Sequence, residues 1–87
     1  MRIYMQIPPL EGKPSRFYQL AMQKDLMGGW TLVRNWGETG QAGRVKRDHF
    51  EDVETAQAAM LRVRDSQLDR GYKVVFMQGQ DINDDGV

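Results

Sequence analysis

The chain has no cysteine. Neither a disulfide framework nor a thiolate metal site is open to it. It has a single histidine, His49, so a site built from several histidines is excluded too. Hydrolytic chemistry fares no better. Nothing in the sequence brings Ser15 or Ser66 to His49 as a Ser-His-Asp set requires, and His49 beside Asp48 reads as a surface residue. No apolar run approaches the roughly 18 residues of a membrane span. The opening Met1-Arg2-Ile3-Tyr4-Met5 lacks the apolar core of a secretory signal. The expectation is a cytoplasmic protein without membrane contact, catalytic residues or cofactor.

What is present is a chain of 87 residues, enough for one domain with a modest core. The formal net charge is zero, but its distribution is uneven. Gln78 to Val87 carry Asp81, Asp84 and Asp85 and no base. Outside that stretch, nine acidic side chains face twelve basic ones. The body is slightly cationic, and its densest basic cluster is Arg44, Lys46 and Arg47. That cluster suits an anionic partner, or a solvated strand.

Periodicity places the elements. Arg2 to Ile7 alternates weakly, with Ile3, Met5 and Ile7 on one face, and Pro8-Pro9 ends the strand. Arg16 to Gln23 alternates again, with Tyr18, Leu20 and Met22 together. Gly28-Gly29 turns the chain into Trp30 to Trp36, where Trp30, Leu32, Arg34 and Trp36 share a face. Arg44 to Phe50 is a fourth, polar strand, too closely connected to the third for a parallel crossover. Asp52 is a good N-cap for a helix to Arg70, with an apolar stripe at Val53, Ala56, Ala59, Met60 and Val63. Gly71 suits its C-terminal end, and Tyr72 to Met77 is a possible last strand. The expected fold is α+β: a mostly antiparallel four- to five-stranded sheet with one long helix packed on one face. Residues 1–77 form the domain, and 78–87 a flexible acidic tail.

Two motifs invite a ligand. Gly37, Gly40 and Gly43 punctuate "NWGETGQAGR". Their spacing matches neither the dinucleotide fingerprint nor a P-loop, and a strand follows rather than a helix. A hairpin connection is the plain reading, although loop amides can bind phosphate without a helix. In the tail, "DINDDG" at 81–86 imitates half of a calcium loop, without the glutamate that completes it. Trp36 stands at the strand end, next to glycine and near the basic cluster. An aromatic plane beside Arg and Lys can hold a nucleotide by stacking plus phosphate contacts. A core role for Trp36 is equally open.

The stretch "SRFYQLAMQ…GGWTLVRNWGETGQAGRVKRDHFEDVETAQAAMLRVRDSQLDRGY" resembles a WGR domain. This family occurs beside the catalytic region of some poly(ADP-ribose) polymerases and in bacterial proteins, including short ones. The likeness covers roughly Ser15 to Met77. Its anchors are Phe17-Tyr18, Trp36-Gly37, Gly40, Gly43, Phe50, the helix opening D-V-E-T-A and Gly71-Tyr72. The resemblance implies an antiparallel sheet crossed by one helix, and nucleic-acid binding without catalysis, DNA in preference to RNA. It implies Trp36 as the packing residue and Gly37 as a point of close approach, with basic residues reaching the backbone; the basic residues near Trp36 here are Arg34, Arg44, Lys46 and Arg47. The family's name-giving arginine falls on Glu38, an anion that repels phosphate at short range. Either that arginine partly serves contacts to neighbouring domains in multidomain relatives, so that a lone domain can lose it and its basic neighbours compensate, or the chain has exchanged nucleic acid for a protein partner. On ideal strands Arg34 shares a face with Trp36, and Arg44 with Lys46, while Arg47 points the other way. Whether the first two faces coincide depends on register.

Overall fold

A computed structural model of the chain describes residues 1–79. The elements are β1 (Arg2–Ile7), β2 (Arg16–Lys24), β3 (Trp30–Glu38), β4 (Arg44–Phe50), α1 (Val53–Asp69) and β5 (Lys73–Gln78). The strands form one sheet in the order β4-β3-β2-β1-β5, antiparallel at every pairing. The fold is α+β. The last strand is real and runs one residue beyond its expected end. The expected acidic tail begins inside it at Gln78. Residues 80–87 of that tail, with the calcium-loop imitation, lie outside the described residues.

Alternation builds the core. Ile3 and Met5 of β1, Tyr18, Leu20 and Met22 of β2, and Leu32 of β3 are buried in one cluster. Their neighbours along each strand point the other way and stay partly exposed. The helix joins that cluster through Ala56, Ala59 and Met60, with Val63 partly buried beside them. It packs against the sheet and touches β2, β3 and β4. The small Ala56 and Ala59 let the helix approach closely, and Met60 fills the space between. Replacing Met60 by alanine would cost about 2–5 kcal/mol, since its side chain is fully buried.

Local chemistry fixes the ends of α1. The Asp52 Oδ1 accepts the Thr55 backbone N–H at 2.8 Å. That bond holds the Asp52 carboxyl below its ordinary pKa. At the other end the Arg70 N–H donates to the carbonyls of Gln67 and Leu68, and the Tyr72 N–H reaches Gln67 at 3.1 Å.

The β3–β4 connection closes on a neck of two glycines. A Cβ on Gly37 would come within 2.8 Å of the Gly43 Cα, and a Cβ on Gly43 within 2.6 Å of the Trp36 carbonyl oxygen. Gly43 also has φ +78°. Only glycine satisfies both demands there. The neck sets the register that follows: Trp36 opposite Arg44, Arg34 opposite Lys46, Leu32 opposite Asp48. Across the sheet, β2 and β3 turn on Asp25 to Gly29, and Leu26 and Met27 project fully into solvent at that tip.

Candidate functional site

The register settles how the third and fourth strands share their side chains. Trp36 and Arg44 are cross-strand partners, as are Arg34 and Lys46. All four therefore lie on the same side of the sheet, the side that carries the core. Arg44 and Lys46 are exposed on the edge strand; Arg34 and Trp36 are half-buried one strand further in. Arg47 pairs with Val33 and points to the opposite side.

Next to this quartet the helix and the sheet enclose a groove of about 690 Å³. Its floor is aromatic. Trp36 lies nearly parallel to Tyr18, ring centroids 5.5 Å apart and planes at 11°. Tyr72 meets Tyr18 edge-on at 5.8 Å. Its walls are basic. Arg16 comes from the start of β2, Arg34 from β3, Arg62 from the helix and Arg70 from its C-cap. Positions 62, 66 and 70 recur every four residues, so Arg62, Ser66 and Arg70 form one row along the rim of α1.

Asp48 is the carboxylate that lines the groove among these four guanidinium groups. It sits 3.3 Å from Arg34 Nη2. Arg34 Nη1 also makes a long contact, 3.5 Å, to the Tyr18 hydroxyl, which accepts. Arg34 Nε is buried without a partner among the described residues. Arg16 Nε reaches the Tyr72 hydroxyl at 3.4 Å. Arg34 is thus partly neutralised and held in place, while Arg62, Arg70, Arg44 and Lys46 form no ion pair among the described residues. The excess of positive charge over one carboxylate concentrates anions at the groove mouth.

Glu38 lies two residues beyond Trp36, opposite Arg16 in the β2–β3 pairing. Gly37 makes its close approach to the backbone of Gly43. Sequence reasoning named Arg34, Trp36, Arg44 and Lys46 and missed Arg16, Arg62 and Arg70. The four-residue repeat on the helix was the available signal, although it carries no sign of which rim opens beside the tryptophan.

His49 stands apart from the groove. Its Nδ1 lies 2.7 Å from Asp25 Oδ2, and the Thr31 hydroxyl donates to Asp25 Oδ1 at 2.6 Å. This cluster ties the β2–β3 turn to β4. Among the described residues, no three His, Asp or Glu side chains gather as a metal site. No helix among them is long and apolar enough to cross a membrane.

The uncharacterized protein y4dW of Sinorhizobium fredii (strain NBRC 101917 / NGR234) is 28% identical to this chain over 72 residues. The match covers 83% of this chain and 35% of that protein, so the chain spans about a third of its relative's length. A model of the WGR domain, a family of nucleic-acid-binding modules, matches residues 1–78. The chain belongs to the WGR domain family.

Proposed function

We propose that this chain is a non-catalytic module that binds nucleic acid, DNA in preference to RNA, along the groove and edge around Trp36. The observation that carries this reading is the gathering of Arg16, Arg62, Arg70, Arg44 and Lys46 around the Trp36–Tyr18 stack. An aromatic plane offers a surface for a ribose or a base, and the cations offer contacts to phosphates. Arg34 orients the stack more than it binds phosphate, because Asp48 already engages it. Arg47 contributes only general attraction from the other side of the sheet, and Gly37 contributes by closing the loop neck. With few phosphate contacts, affinity is weak, salt-dependent and poorly sequence-specific.

The test is fluorescence anisotropy with a short 5′-phosphorylated duplex at about 50 and 200 mM salt. Saturable binding that weakens with salt and is lost in Trp36→Ala supports the reading. Binding unchanged in Trp36→Ala combined with Lys46→Ala overturns it. A second reading, a protein-interaction module, draws on Glu38, which lies on the Trp36 side of β3 where a phosphate would be repelled. Absence of binding to any nucleic acid at low salt favours that reading.

A further inference from the structure

The side of the sheet turned away from the core carries an arrangement that the groove does not use. On β1, Tyr4 points that way; its partner on β5 is Phe76, and Phe17 of β2 lies one diagonal step off. Tyr4 and Phe17 are parallel to within 12°, with centroids 6.4 Å apart. Phe76 is 47% exposed, and no strand residue on this side is buried. Three aromatic rings therefore stand on three adjacent strands, and among the described residues nothing packs over them.

The polar neighbours are specific in kind. Gln6 and Gln19 flank the rings with amide groups that can both donate and accept. Arg2, Arg47 and Lys73 are the charged strand residues besides His49, which is held by Asp25. The strand positions on this side hold no Asp or Glu; the acidic strand residues, Glu38 and Asp48, both lie on the core side. Aromatic planes for bases, amides for base edges and cations for phosphates together complement one class of ligand. A protein partner would leave the three spaced cations and the amides in need of matching acids and amides, for which the arrangement gives no reason.

We propose that this side of the sheet is a second nucleic-acid surface, which takes an extended single strand by stacking bases on Phe76, Tyr4 and Phe17. It is independent of Trp36, whose ring lies on the other side of the same sheet.

The test is an amide NMR titration of the full chain with a short oligo(dT). Anisotropy with the same oligonucleotide accompanies it, on the parent chain and on Phe76→Ala, Tyr4→Leu and Trp36→Ala. Shifts should concentrate at Tyr4, Phe17, Gln19 and Phe76. Affinity should fall roughly tenfold in Phe76→Ala and in Tyr4→Leu, and remain in Trp36→Ala. Phe76 is exposed, so its variant reads the surface even if Tyr4→Leu unfolds. Shifts confined to the groove, a loss seen only in Trp36→Ala, or no binding of the single strand would overturn the proposal. Duplex binding that fails in Trp36→Ala while oligo(dT) binding persists separates the two surfaces.

Discussion

Tyr18 lies beneath Trp36 as a nearly parallel plate, and only 6% of Tyr18 is exposed. The tryptophan therefore rests on a ring that is itself fixed in the core. It is oriented before any ligand arrives, which lowers the entropic cost of binding. Trp36→Phe should keep the stack and most duplex affinity. Trp36→Ala should lose the affinity and about 1–2 kcal/mol of stability, less than the 3–5 typical of a fully buried ring. Anisotropy and thermal denaturation read the two effects separately.

Asp48 competes with any phosphate for the groove arginines. Asp48→Asn should tighten nucleic-acid binding severalfold. The stability cost should stay below about 1 kcal/mol, since the pair with Arg34 is partly solvated. A weaker complex would mean that Asp48 positions Arg34 for binding.

Glu38→Arg places a cation where the family motif has one. Affinity for a duplex should rise, and the plot of log affinity against log salt should steepen by about 0.9. An unchanged slope would place position 38 outside the contact.

The glycines of the β3–β4 connection separate two effects. Gly40 has φ +91° with open space around it, whereas Gly43 combines φ +78° with a Cβ 2.6 Å from a carbonyl oxygen. Gly40→Ala should cost about 1–2 kcal/mol, the ordinary strain of the left-handed region. Gly43→Ala should cost clearly more and disturb the Trp36–Arg44 pairing. Denaturant unfolding ranks the two.

The Asp52 cap makes stability depend on acid. Its folded pKa lies below the ordinary value, so its contribution is complete above the usual carboxylate range and is lost as pH falls through the folded pKa. Asp52→Ala should lower the melting temperature at neutral pH, and the deficit should shrink in acid. Asp52→Asn, which keeps an accepting oxygen, should melt close to the parent. Circular dichroism melts at several pH values test all three statements.

Period-two alternation made most of the strands legible. Tyr18, Leu20 and Met22 form a buried row because every second residue must face the same side. The helix was legible from Asp52 and from its apolar stripe. The groove was not. It depends on Trp36 facing Arg44, which is decided by the geometry of the Gly37–Gly43 neck, a three-dimensional contact that no periodicity encodes. Arg62 and Arg70 belong to it only because the rim of α1 runs along that end of the sheet. Leu26 and Met27 show the converse, since apolar residues in a sequence carry no promise of burial.

The strand order has a consequence for how the molecule comes into being. β1 is made first but lies between β2 and β5, and Tyr4 finds Phe76 only after every other element exists. Three neighbouring hairpins can zip up locally, whereas this last seam closes a loop of nearly the whole chain and is the slow, entropically costly step. Until it closes, the strand bearing Ile3 and Met5 presents an open ladder of backbone donors and acceptors. A chain cut before Lys73–Gln78 would leave β1, the strand that carries two of the fully buried core side chains, as an unpaired edge of the sheet.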